Sequence, residues 1–235
     1  MIAGLQKMTL LDYPGKVACT VFLQSCNFRC PFCHNSDLLG TSGPEPMPEE
    51  ELLAFLQKRK GLLDAVCISG GEPTLYPGLA PLIRNIRELG FLIKLDTNGS
   101  RPEVLKSLLD EGLLDYVAMD IKNAPSRYAD TAGVPGMKLD KIEQSIRLLT
   151  AGMVDYEFRT TVMDELHDEA AMTEMGEWLT ALSPDHKISR LFLQPYVDRD
   201  SVFMAGLHTP NPEKLRKMAD SLAPFVKSVN IRNMA

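Results

Sequence analysis

KVACTVFLQSCNFRCPFCHN, residues 16–35, is an apolar run that breaks into three closely spaced thiols. Its first half, Lys16 to Gln24, has the β-branched and aromatic composition of a buried strand. Its second half carries Cys26, Cys30 and Cys33 in the spacing C-x3-C-x2-C, followed directly by His34. A strand that ends in metal-ligating chemistry is what parallel α/β folds produce, because their functional residues gather at the C-terminal ends of strands.

The rest of the chain repeats that opening. Strands are expected at 64–70, 91–97, 115–122, 155–163 and 188–196, with helices at 48–59, 79–89, 102–112, 139–152 and 168–182 between them. A terminal helix at 211–225 and a last strand at 227–232 follow. Six strand–helix units in strict alternation imply parallel strands joined by right-handed crossovers. Eight units would close a full barrel. The expected fold is therefore α/β, a partial (β/α)6 TIM-type barrel of parallel strands with outer helices. The organisation expected is one domain over 1–235, with a core at about 14–200 and a C-terminal helix and strand within 209–235. The longest irregular piece is 40–48, GTSGPEPMP.

Composition narrows the function classes. A formal charge of −6 speaks against a general nucleic-acid binder. The basic run at 58–60 has acids at 49–51 shortly before it and reads as a solvated helix face. No apolar run is long enough to span a bilayer, and the N-terminus lacks a secretory pattern, so a cytoplasmic location is expected. Five cysteines in a reducing compartment are expected to be free thiols. Cys19 and Cys67 fall inside apolar strands and read as core.

Each expected strand ends in polar or glycine-rich residues: SGGEPT at 69–74, DTNG at 96–99, DIK at 120–122, Arg159 and then Asp164 and His167, and QPY at 194–196. One such end is an ordinary turn. Six on one rim indicate a functional site. For the thiols, one reading is a structural Cys3His zinc, with His34 or a distant histidine as the fourth ligand. Adjacent Cys33 and His34 fit it poorly, since zinc ligands are spaced by two or more residues. The other is a [4Fe–4S] cluster held by three cysteines, leaving one iron open to a small molecule. Spacing and rim context favour the cluster.

With Phe32 before the last cysteine and SGGEP at the second strand end, the chain resembles the radical S-adenosylmethionine superfamily. GLQKMTLLDYPGK, FLQSCNFRCPFCHN, CISGGEPTL, LIKLDTNG, YVAMDIK and YEFRTTV together are similar to one subgroup, the activating proteins of anaerobic ribonucleoside-triphosphate reductase. These are relatives of the pyruvate formate-lyase activases. The resemblance implies an enzyme in which Cys26, Cys30 and Cys33 ligate three irons and S-adenosylmethionine chelates the fourth. Reductive cleavage would give a 5′-deoxyadenosyl radical that takes a hydrogen from a glycine of a glycyl radical enzyme. It further implies cofactor contacts from Phe32, Gly70, Gly71, Glu72, Pro73, Thr97, Asn98, Lys122 and Arg159. Asp96, Thr97 and Asp120 would hold a monovalent cation, and Asp12 would meet the partner. Alternatively, Asp96 or Asp120 would form a salt bridge with Lys122. No residue is expected to act as a separate catalytic acid or base. The partner favoured is the anaerobic ribonucleotide reductase, and the electron donor a flavodoxin or ferredoxin. The alternatives are another glycyl radical enzyme, or a small-molecule reaction such as that of 7-carboxy-7-deazaguanine synthase. QPYVD at 194–198 departs from the PYH ending of the pyruvate formate-lyase activase.

Overall fold

The computed structural model describes residues 1–39, 45–198 and 202–232. Eight strands are hydrogen-bonded in chain order: β1 Ile2–Thr9, β2 Ala18–Leu23, β3 Ala65–Gly70, β4 Leu92–Thr97, β5 Tyr116–Asp120, β6 Asp155–Val162, β7 Ile188–Pro195 and β8 Val226–Ile231. The helices are α1 Glu49–Gln57, α2 Leu79–Glu88, α3 Pro102–Asp110, α4 Tyr128–Ala132, α5 Asp140–Thr150, α6 Glu169–Leu182 and α7 Pro212–Leu222. The six expected strand–helix steps are present, and the fold is α/β. Among the described residues no helix is long and apolar enough to cross a membrane. Of the irregular piece at 40–48, residues 40–44 lie outside the described residues, as do 233–235 of the expected C-terminal segment.

Two of these elements are absent from the sequence reading, the short helix α4 and the strand β1. β1 pairs antiparallel with β2, from Ile2 opposite Leu23 to Thr9 opposite Ala18, and the pairing carries register shifts. Its burial pattern runs from buried Ile2 and Ala3 to exposed Gln6, Lys7 and Met8. An edge strand whose three exposed residues fall in one block lacks the clean alternation or apolar run that identifies a strand.

Backbone contacts divide the chain into two compact units. Unit 1 comprises Met1–Asn27, Asn35–Thr97 and Glu103–Ala118. Within it β2, β3 and β4 are parallel, with Ala18, Ala65 and Leu92 in one row and Thr20, Cys67 and Lys94 in the next. Tyr13 and Tyr116 pack on the Ala18, Ala65 and Leu92 row, their rings 5.7 Å apart. α2 buries Leu79, Leu82, Ile83 and Ile86, the i, i+3, i+4, i+7 stripe of a helix on a sheet, each worth roughly 1.5–3 kcal/mol of burial. Gly90, at φ +92°, follows that helix and lets the chain turn back into β4. Cys19 and Cys67 are fully buried. Burial pushes the Cys19 thiol up to about 12, and Cys67 is also raised, so both stay protonated as core side chains.

Unit 2 comprises Phe28–His34, Asn98–Pro102 and Met119–Ala235. β6, β7 and β8 are parallel within it. α6 begins at Asp168, whose carboxylate accepts the Ala171 amide N–H at 2.8 Å. Gly176 on the same helix leaves room for the ring of Phe225, which a Cβ would meet at 2.3 Å. α7 is opened by Asn211, which caps Lys214 N–H, and by Pro212 in its first turn.

Candidate active site

In unit 1 the site is built at the ends of β2, β3 and β4. From sequence, Gly70 and Gly71 are expected to let the backbone approach a ligand. The structure fills that space with the chain itself. Gly70 has φ +116°, and a Cβ there would stand 2.3 Å from the Leu23 carbonyl oxygen. A Cβ on Gly71 would stand 2.0 Å from Ser25 O. Gly71 N–H donates to Leu23 O at 2.9 Å and Glu72 N–H to Ser25 O at 2.8 Å. Asn35 Nδ2 donates to Gly70 O at 2.9 Å. The segment entering the cysteine motif and the residue leaving it are thus both tied to the end of β3. Ser25 adopts φ +79°, an uncommon conformation for a residue with a Cβ, with its N–H bonded to Leu38 O at 2.8 Å.

Glu72 is 1% exposed. Its Oε1 accepts from Thr74 N–H at 3.1 Å, Thr74 Oγ1 at 2.5 Å and Thr97 Oγ1 at 2.7 Å. Glu72 also caps the short helical turn that Pro73 opens. Those three donors are neutral groups. Asp96, one step before Thr97, accepts from Ser69 Oγ at 3.1 Å and forms an ion pair with the ammonium of Lys94. Asp12 accepts from Thr20 Oγ1 at 2.6 Å, which gives its carboxylate an internal partner.

In unit 2 the segment Phe28–His34 is held from its own side. Arg29 N–H donates to Ala132 O at 3.0 Å, and Cys30 Sγ lies 3.7 Å from the same oxygen. Gly133, at φ +65°, is required there, because a Cβ would stand 2.0 Å from Arg29 O. Cys33 N–H closes a turn on Cys30 O at 3.1 Å, and Met204 N–H donates to Pro31 O at 3.1 Å. Phe28, Cys30 and Phe32 are buried, while Cys33 is partly exposed. His34 Nε2 lies 2.7 Å from Val197 O, so that nitrogen carries a proton, and the ring stacks on Tyr196. The backbone, rather than a metal, is the partner of this nitrogen.

Lys122 Nζ donates to Asp120 Oδ2 at 3.0 Å, and Arg159 Nε to Asp120 Oδ1 at 2.9 Å. Of the salt bridges expected to Lys122, the one from Asp120 is therefore formed. Burial raises the Asp120 carboxyl, but Arg159 and Lys122 outweigh it and hold the group well below the usual carboxylate range. Burial likewise opposes the Lys122 charge, and Asp120 foremost restores it. The trio carries one net positive charge. Asn98 Oδ1 accepts Ser100 N–H at 2.9 Å, which shapes the turn after β4.

Two participants carry no motif in the sequence. Lys94 is 1% exposed and lies two residues before Asp96, on the same strand face. A lysine inside an apolar strand, i and i+2 with an aspartate, is the signal that could have found it. His167 is 1% exposed. Met163 N–H donates to its Nδ1 at 3.4 Å, and its Nε2 lies 3.0 Å from Lys122 O. Both ring nitrogens are engaged, and burial lowers its pKa to about 4, so it is neutral and braces the Lys122 backbone. Among the described residues no three His, Cys, Asp or Glu side chains converge so as to hold a single metal ion. Of the five cysteines, Cys19, Cys30 and Cys67 are buried and Cys26 and Cys33 are partly exposed.

Residues 20–175 match the model of the Radical SAM superfamily. Over its whole length the chain is 31% identical to a candidate glycyl-radical enzyme activating enzyme of Methanocaldococcus jannaschii, covering 96% of that protein. It is 30% identical to a 7-carboxy-7-deazaguanine synthase of Hyperthermus butylicus, over 78% of this chain and 70% of that one. A pyruvate formate-lyase-activating enzyme of Clostridium pasteurianum matches at 34% identity over 52% of each. Among solved structures, Streptococcus suis SuiB bound to its precursor peptide SuiA superposes with a TM-score of 0.70 at 15% identity, covering 91% of this chain and 48% of that one. The last likeness is one of fold.

Proposed function

The chain belongs to the Radical SAM superfamily, whose members use a [4Fe–4S] cluster and S-adenosylmethionine, and from that premise we propose that it activates the anaerobic ribonucleoside-triphosphate reductase. The observation that carries the activase reading is the end-to-end similarity to the Methanocaldococcus protein. The choice of reductase rests on the six motifs from GLQKMTLLDYPGK to YEFRTTV taken together.

The donor set fits the cluster. Cys26, Cys30 and Cys33 are thiols, soft ligands of the kind that hold iron–sulfur centres, and would take one iron each. When bound and reduced, the cluster supplies the electron that splits S-adenosylmethionine to methionine and the 5′-deoxyadenosyl radical. The protein's part is orientation and protection. Glu72 offers a carboxylate to the methionyl ammonium, held in place by hydroxyl and amide donors. Lys122 and Arg159, with one positive charge in excess of Asp120, offer the pole that a carboxylate requires. Gly70, Gly71 and Pro73 set the Glu72 turn, while Thr97 and Asn98 shape the end of β4. Phe28 and Phe32 keep water from the thiols. The chemistry so supplied would remove the α-hydrogen atom of one glycine in the partner, and Asp12 is the residue proposed to meet that glycine loop. An electron donor such as a flavodoxin or ferredoxin completes the system, and a cytoplasmic setting is consistent with it.

The test is anaerobic mixing of the reconstituted protein with S-adenosylmethionine, a reductant and candidate glycyl radical enzymes. A glycyl doublet in the electron paramagnetic resonance spectrum is expected with the ribonucleotide reductase. A doublet with a pyruvate formate-lyase alone would shift the partner. The synthase-like match favours one second reading, a reaction on a deazapurine precursor. That reading predicts 5′-deoxyadenosine formation stimulated by the small molecule, with no radical on protein.

A further inference from the structure

We propose that Lys94 is the chain's own counter-cation at the end of β4, taking the place of the monovalent metal ion that the resemblance assigns to Asp96. Lys94 and Asp96 lie two residues apart on one strand and so present their side chains on the same face. In the sheet register Lys94 stands beside Cys67, which stands beside Thr20, while Ser69 donates to Asp96 one row further along. The lysine stem lies in the interior of unit 1, and its ammonium is paired with Asp96 although its side chain is only 1% exposed. A buried ammonium is tolerated when a carboxylate answers it, and stripping that carboxylate away is among the costlier changes a core can suffer.

A hard monovalent cation recruits oxygen ligands, and here it would have to take Asp96 from a tethered ammonium already in place. A tethered group competes at a high effective concentration, which dissolved salt does not easily match. The compact point charge of lysine suits the role, since it delivers one positive charge without the planar fork of arginine. In unit 2 the second carboxylate assigned to the ion, Asp120, has its own chain cations in Lys122 and Arg159. Each carboxylate is answered within its own unit.

The inference depends on the radical SAM reading only for the activity arm of its test. Crystals grown with rubidium chloride and measured at the rubidium edge are expected to show no anomalous peak on the Asp96 carboxylate of the wild type. Lys94→Gln is expected to show one. 5′-Deoxyadenosine formation by the reconstituted wild type should change less than twofold when potassium or sodium is replaced by tetramethylammonium at constant ionic strength. Lys94→Gln should become at least tenfold dependent on the small cation. A rubidium peak on Asp96 in the wild type, a tenfold loss of its activity in tetramethylammonium, or a folded Lys94→Gln that binds no rubidium overturns the proposal. Should Lys94→Gln fail to fold, the neutral pair Lys94→Gln/Asp96→Asn is expected to fold and bind no rubidium, and the wild-type arms decide. Failure to cleave S-adenosylmethionine in every salt would sink the activase reading instead, leaving the diffraction result to judge Lys94.

Discussion

Glu72 and Asp120 are both carboxylates at strand ends, yet the protein treats them in opposite ways. Glu72 is wrapped by neutral donors, two threonine hydroxyls and a backbone N–H. Asp120 is gripped by two cations, Lys122 and Arg159. The three donors to Glu72 carry no charge, whereas Lys122 and Arg159 each bring a positive one to Asp120. The lesson is that an acidic residue at a rim says little about the local charge until its partners are known.

The largest effect should come from removing a thiol while leaving both carboxylates untouched. Cys30→Ala is expected to abolish 5′-deoxyadenosine formation and lower iron content, with the circular dichroism spectrum retained. Persistent turnover in that variant would contradict the ligand assignment. Next comes the loop that places Glu72. Gly71→Ala forces a Cβ to 2.0 Å from Ser25 O and should cost about 3–5 kcal/mol, or prevent folding. Gly90→Ala, with a positive φ and open space around it, should cost only about 1 kcal/mol. Equal losses in thermal melts would mean that the Gly71 contact is not what fixes the turn.

On the Asp120 side, His167 braces Lys122. Its folded pKa of about 4 lies below the ordinary histidine value near 6.5. The native state therefore refuses a proton that the unfolded chain accepts. Its contribution is intact above about pH 6.5, falls as pH drops through the window to 4, and amounts to about 3 kcal/mol. Urea midpoints followed over that window should show the loss, and His167→Gln should flatten it. An unchanged slope in the variant would remove His167 as its source.

Glu72→Gln keeps Oε1 to accept from Thr74 and Thr97 and replaces the other oxygen with an uncharged NH2 donor. It should weaken S-adenosylmethionine binding by about 10–100-fold, roughly 1.5–3 kcal/mol, with little change in stability. Wild-type affinity by calorimetry would dissolve the contrast with Asp120. The smallest effect belongs to the exposed pair Lys106–Asp110, with side chains 58% and 49% accessible. Lys106→Ala should shift stability by about 0.5 kcal/mol or less, a reference against which the strand-end pairs are read.

Much of this was legible in the chain. The six parallel strand–helix steps follow from apolar runs of strand length alternating with helical periodicity, and the boundaries of β6 and α2 fall within a residue of expectation. The three thiols and the rim residues were visible as types and spacings. β1 was not, because its buried and exposed residues fall in blocks rather than alternating. The partnership of Lys94 with Asp96 was not either, since a lysine in a strand has no pattern of its own.

Covalent spacing and hydrophobic period are local properties, so the sequence by itself determined the fold class, the thiol cluster and the inventory of polar strand ends. Which charge answers which is a matter of a few ångströms between segments far apart in the chain, and there the tertiary structure decided. It packed Gly70 and Gly71 against Leu23 and Ser25, set Arg29 and Cys30 against Ala132, and paired Asp96 with Lys94. Close packing and the cost of burying an unmatched charge admit few such pairings, but they can be found only once the strands lie side by side.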